Sequence, residues 1–243
     1  MDAPPSLVRL AVGGLLLDPR AFRAQRDAPG GMRRGFLLVL LIGLLVGFAA
    51  LIGDLGEYFT QPEPAQVNAT IYRGLTAMPW YAPAVQANPG IGTLVEQTFG
   101  PQGGGLSLTP SPVSAALALL ITPVVSVVSW LLSGAFVHIA ARALGGAASF
   151  GQTMATVALA SAPGLLGLVQ VVPYAQALPL ALTIASGLLG LIATYVAVRE
   201  SHGLPPWRAF WSVLIGPLLL SVLLGGLYCC FVFVFAGAIG GLT

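Results

Sequence analysis

Lysine is absent from the chain, and charge of either sign is scarce: Asp, Glu, Lys and Arg make up 7% of 243 residues, against about 25% in a soluble domain. So few charges cannot coat a water-facing surface of this size. All ten basic residues are Arg. No basic run is interleaved with aromatics, so nucleic-acid binding has no support. Cysteine is also rare. Cys229 and Cys230 are adjacent in an apolar run, and neighbouring helical positions point about 100° apart. The pair cannot readily share a metal or close an ordinary disulfide, and reads as small lipid-facing or packing residues. No His-Glu-x-x-His motif and no Cys/His ligand cluster occurs, so neither metal nor cofactor is expected.

What the chain does have is apolar length. Hydrophobic residues make up 56%, with a mean hydropathy of +0.89. They come in unbroken runs rather than alternating, which points to an all-α membrane protein. The first uncharged run, Gly35 to Gly53, is nineteen residues long and just crosses about 30 Å of hydrocarbon. Between Arg142 and Arg199 lie fifty-six residues without an ionised side chain, room for two spans and a tight turn at Pro173-Tyr174 through Pro179. Five transmembrane helices are expected, at about 35–55, 113–141, 152–172, 178–198 and 209–239, forming a membrane unit from 35 to 243. Ser111-Pro112 and the capping box of Ser149 and Gln152 mark two helix starts. Trp207 and Trp211 sit where an interfacial belt belongs.

Residues 1–34 form a basic N-terminal segment. Leu7, Leu10, Ala11 and Leu15 fall at helical spacing until Asp18-Pro19 ends the pattern, so an interfacial helix is expected there. The segment precedes the first span, which suggests that residues 1–31 are dispensable for insertion. The 57–111 loop is rich in proline and predicts two short amphipathic helices: one carries Val67, Ile71, Leu75 and Met78, the other Ile91, Leu94, Val95 and Phe99. Asn88 caps the second, with Pro89 in its first turn.

Arginine placement sets the orientation. With five spans, nine arginines fall on one side and only Arg73 on the other. By the positive-inside rule the N-terminus is cytoplasmic and the C-terminus extracytoplasmic. The all-Arg usage suggests a bacterial cytoplasmic membrane.

The residues offer little chemistry. Asp54 and His138 lie near opposite ends of their spans, too far apart for a catalytic triad. His202 reads as a solvated loop histidine. His138 and Arg142 share a helix face near the membrane interface, where Arg can snorkel. Gly43 and Gly47 form a small-xxx-small pair suited to close helix packing. Pro123, Pro163 and Pro217 lie inside spans and predict kinks.

Four stretches together resemble the Yip1 family of five-span membrane proteins, in the manner of its bacterial members. They are Leu17-Asp18-Pro19-Arg20-Ala21-Phe22, the loop Leu144-Gly145-Gly146-Ala147-Ala148-Ser149-Phe150-Gly151-Gln152-Thr153, Ala158-Leu159-Ala160-Ser161-Ala162-Pro163, and His202-Gly203-Leu204 with Arg208-Ala209. The resemblance implies a non-enzymatic scaffold or adaptor. Partner or lipid contacts would fall at Pro19, Phe22, Arg33, Arg34, Arg142, Gly145, Gly146 and Arg208. The expected partners are membrane lipids, anionic ones above all, and a membrane or cytoplasmic protein. The alternative is a channel or an accessory subunit of a membrane transporter.

Overall fold

The computed structural model describes residues 6–60, 64–100, 111–172 and 177–240, and among these no strand occurs. Two short helices, α1 (Leu7–Leu15) and α2 (Pro19–Asp27), precede the long α3 (Gly31–Thr60). The connecting region carries α4 (Pro64–Thr76), α5 (Tyr81–Ala87) and α6 (Pro89–Phe99). Then come α7 (Pro112–Ala143), α8 (Phe150–Val157) continued by a 3₁₀ segment (Ala158–Val171), α9 (Ala177–His202) and α10 (Pro206–Gly240). Five helices are long and apolar enough to cross a membrane: α3, α7, α8 with its 3₁₀ continuation, α9 and α10. Pro173 and Tyr174, at the expected break between the third and fourth spans, lie outside the described residues.

The third span is the hub. Gly35 of α3 lies against Ala158, Ile42 against Gly164 and Val46 against Gly167. The two helices therefore run parallel and in step. On its other face α3 meets α7, where small residues let the backbones close. A Cβ at Gly43 would stand 2.7 Å from the Pro123 Cα, and one at Gly47 would stand 3.3 Å from the Leu119 carbonyl oxygen. Pro123 has no N–H to offer that carbonyl, so the glycine approaches a group the helix itself leaves open. Pro163 repeats the device. It can donate to neither Leu159 nor Ala160, and these carbonyls are approached by Gly14 of α1 and Gly190 of α9.

Pro163 is one of the positions where the sequence suggests helix packing or a kink. The structure switches the span from α to 3₁₀ for fourteen residues. Such runs rarely exceed a few residues, and their poorer hydrogen-bond geometry needs help from outside. Here the neighbours close on it: Gly14 of α1 and Gly190 of α9 approach its first-turn carbonyls, and just ahead of it the Trp130 indole N–H of α7 donates to the Met154 carbonyl of α8 at 3.1 Å. Pro217 sits half-buried inside α10.

Two expectations change. Among the described residues the loop carries three short helices, Tyr81–Ala87 joining the two expected, with Pro83 in the first turn where its missing N–H costs nothing. The N-terminal segment is not an appendage. Leu10 and Phe22 are 1% and 0% exposed and share one core with Leu38, Val39, Met154, Leu159 and Ala162. Deleting residues 1–31 would uncover the hub helix.

Polarity is inside-out. Residues such as Leu45, Phe48, Leu120, Val124, Leu188 and Leu218 face outward along the spans, as lipid contact requires. The buried polar side chains Gln25, Thr153, Thr156, Ser201, His202 and Ser212 gather toward the end that carries the arginines.

Candidate functional site

That end is assembled from three segments: the α1–α2 hairpin, the loop 144–149 and the α9–α10 turn. Ser6 caps α1, accepting the Arg9 backbone N–H at 3.3 Å. The helix then ends in a Schellman motif: Leu17 N–H donates to the Gly14 carbonyl at 3.2 Å and Asp18 N–H to the Gly13 carbonyl at 2.8 Å. The left-handed position of that motif normally holds glycine; here it holds Leu17, at φ +56°. Asp18 turns at once from stop to start, accepting the Arg20 N–H at 2.9 Å, with Pro19 opening α2.

α2 is pinned to the last turn of α9. Arg26 donates to the Glu200 carbonyl at 2.7 Å, where a cation also complements the helix dipole. Arg23 pairs with the Glu200 carboxylate at 3.3 Å. Arg26 also grips Asp27 with two nitrogens, at 2.7 and 2.9 Å, and these hydrogen bonds hold the Asp27 carboxyl below its ordinary range. Beneath them, Gln25 is fully enclosed and donates to the Gly31 carbonyl at 2.8 Å.

The loop 144–149 begins with a second Schellman motif, this time with glycine in the left-handed place: Gly145 at φ +93°, and Gly146 N–H donating to the Ala141 carbonyl at 2.8 Å. Two arginines tie the loop down. Arg142 donates to the Gly146 carbonyl at 3.2 Å and Arg208 to the Leu144 carbonyl at 3.3 Å. Ser149 and Gln152 form the expected capping box at the start of α8.

Under this loop two histidines meet on one hydroxyl. His138 Nδ1 lies 2.9 Å and His202 Nε2 lies 2.8 Å from Thr153 Oγ1, and their ring centroids are 5.4 Å apart. The same hydroxyl stands 3.2 Å from the Ser149 carbonyl oxygen. With one proton to donate, the Thr153 hydroxyl accepts an N–H from at least one of the two rings, and which ring donates follows the histidine tautomers. The remaining His202 Nδ1 is buried without a partner and faces Gly146, where any Cβ would collide with the ring.

His202 therefore departs from the expected solvated loop residue. It is 4% exposed and closes the last turn of α9. Gly203, at φ +64°, is the helix stop, and reading it as such would have kept His202 inside the helix.

Two of the expected contact residues do not reach the surface. Phe22 is wholly enclosed and Gly146 lies beneath His202. Pro19, Arg33, Arg142, Gly145 and Arg208 are exposed, and Arg34 is half-buried. The Arg33 and Arg199 side chains make no hydrogen bond or ion pair among the described residues. No group of three metal-ligating side chains converges among the described residues.

Five apolar spans, the third of them central, with polar groups gathered at one end, define a multi-pass integral membrane protein of helical type. The Yip1 domain family model matches residues 13–228, from the turn of the N-terminal hairpin deep into the last span. The chain belongs to the Yip1 family. No curated protein and no solved structure matches it.

Proposed function

We propose that the protein is a non-enzymatic scaffold or adaptor of the bacterial cytoplasmic membrane, with its arginine-bearing end in the cytoplasm and its C-terminus outside. The carrying observation is the construction of that end. Three segments distant in sequence are locked into one surface by Arg26 and Arg208, with Arg142 fixing the loop between them, while the Arg33 and Arg199 side chains have no partner among the described residues. Cations committed to backbone carbonyls build a rigid face, and uncommitted ones give it positive charge for an acidic protein segment. Gly43 and Gly47 against Pro123, and Pro163 at the hub, serve to hold the spans beneath that face.

The test is capture in mild detergent. Wild type and Arg33→Glu/Arg199→Glu are purified from crosslinked membranes and their co-purifying proteins identified. The adaptor reading requires one recurrent partner, lost in the variant while the melting temperature stays unchanged. A variant that keeps every partner removes this face from consideration.

A second reading, a channel or transporter subunit, draws support from a crevice of about 330 Å³ between α7, the third span and α9. Ser126, Ser129, Ser133, Ser161 and Thr194 line it. Four of these hydroxyls donate to carbonyls of their own helices, which leaves lone pairs facing the crevice. Solute flux through purified protein in liposomes, abolished by Ser129→Leu, is the outcome that favours it.

A further inference from the structure

We propose that the crevice between α1 and α2 binds the headgroup of a monoanionic phospholipid with a hydroxylated headgroup. Arg9 and Arg20 take the phosphate diester, and the outward face of α1 lies among the acyl chains. The proposal rests on the reading of this end as a membrane-apposed surface.

The first observation is the depth of α1. Its Gly14 touches Leu159 and Ala162, and the neighbouring Ala158 is level with Gly35, the first residue of the uncharged run of α3. The helix thus sits at the edge of the hydrocarbon rather than above it. The second is its outward face. Val8, Val12 and Leu16 are 73%, 49% and 72% exposed, and at about 100° per residue they form one stripe opposite the packed side of Leu10 and Gly14. Three aliphatic side chains on one turn-after-turn stripe, at this level of a membrane protein, face lipid.

The third is charge. A crevice of about 330 Å³ opens between the two helices, and its polar side chains are Arg9, Asp18 and Arg20. Gly13 keeps the helices close, since a Cβ there would meet Ala21. Neither guanidinium has a hydrogen bond or ion pair among the described residues, unlike those of Arg23 and Arg26 beside them. Two guanidiniums and one carboxylate leave a net charge of +1, which complements one phosphate diester. Asp18 Oδ1 is occupied by the Arg20 N–H, and the other carboxylate oxygen remains to accept from a headgroup hydroxyl. A choline headgroup has no hydrogen to donate there. Arginine's planar fork suits phosphate oxygens. On the helix, Arg9 lies between the apolar stripe and the crevice, so headgroup and chains of one lipid reach their sites together.

The experiment is native mass spectrometry of the full chain in mild detergent, titrated with phosphatidylglycerol, phosphatidylcholine or soluble glycerol phosphate. Wild type is expected to hold one tight phosphatidylglycerol adduct, weakened by salt, with phosphatidylcholine and the soluble phosphate binding far less. Arg9→Gln/Arg20→Gln should lose about thirtyfold in affinity, or about 2 kcal/mol. Arg9→Lys/Arg20→Lys, which keeps the charge, should fall between the two, and unchanged melting temperatures show that both variants fold. Arg33→Gln/Arg199→Gln removes the same charge elsewhere on this end and should keep the adduct. Equal loss in that control, or an undiminished adduct in Arg9→Gln/Arg20→Gln, overturns the crevice. Equal binding of soluble glycerol phosphate overturns the lipid as its ligand. Protein capture by the Arg9/Arg20 variant reads the adaptor proposal separately: partners retained while the lipid is lost sustain both readings, and a lipid lost from a chain that never captures a partner sinks only the adaptor.

Discussion

Replacing Thr153 by valine keeps the shape of the side chain and removes one oxygen. That oxygen joins His138, His202 and the Ser149 carbonyl. His202 is buried and already has one nitrogen without a partner, so losing the second leaves the whole ring unsatisfied. A buried group orphaned in this way costs about 1–3 kcal/mol. His138 is half-buried and can turn partly to water, so it contributes less. The sum, about 3 kcal/mol, corresponds to a fall in melting temperature of about 6–12 °C in a chain of this size. Thr156→Val is the matched control. Thr156 is equally buried, but its hydroxyl serves only carbonyls of its own helix, at 3.1 and 3.0 Å. Its loss should cost well under half as much. The assay is thermal unfolding in detergent, followed by size-exclusion recovery. A second check is non-additivity: once Thr153 is valine, His202→Phe should cost little more. If Thr153→Val melts with Thr156→Val, the two histidines are not held by this hydroxyl.

Gly43→Ala should lower stability by about 1–3 kcal/mol, because the new methyl meets the Pro123 backbone, whereas Gly187→Ala, which meets nothing within 4 Å, should be neutral in the same melting assay. Pro163→Leu should still insert but melt lower, since a restored N–H favours an α path that Gly14 and Gly190 are not shaped to meet. A reporter fused after Thr243 should register outside the cell, and one fused at Gly146 inside. Inside signals from both would refute the orientation.

The spans could be read because each is a local property: a run without charge, long enough to cross, opened by Ser111, Ser149 or Pro206. Caps are local too, and Asn88 with Pro89 opens α6 as its side chain suggests, accepting the Gly90 N–H at 3.1 Å. What stayed hidden depends on partners far away in sequence. Fourteen residues of 3₁₀ helix have no mark beyond Pro163, since what closes on them comes from Gly14 and Gly190 on two other helices. Thr153 and His202 are 49 residues apart, and only the crossing of α8 with α9 brings them to one hydroxyl. Asp18-Pro19 was legible as a stop but is equally a start, because aspartate before proline is also a helix cap.

Leu17 is where local preference and tertiary packing disagree most openly, and the disagreement can be measured. A bulky residue at φ +56° bears a cost of about 1–2 kcal/mol relative to glycine. The compensation is contact: Leu17 packs against the core that α1 shares with the third span. Leu17→Ala discards the contact and keeps most of the backbone cost. Leu17→Gly discards the contact and removes that cost, offset in part by the greater freedom of glycine in the unfolded chain. The usual helical ranking, alanine above glycine by about 1 kcal/mol, should therefore invert here, with the glycine variant melting about 2–4 °C above the alanine variant and both below wild type. The inversion matters because this turn sets the angle between α1 and α2, and so the width of the crevice that holds Arg9 and Arg20. An alanine variant as stable as the glycine one would mean that the left-handed turn is not a fixed feature of the hairpin, and the crevice would lose the element that shapes it.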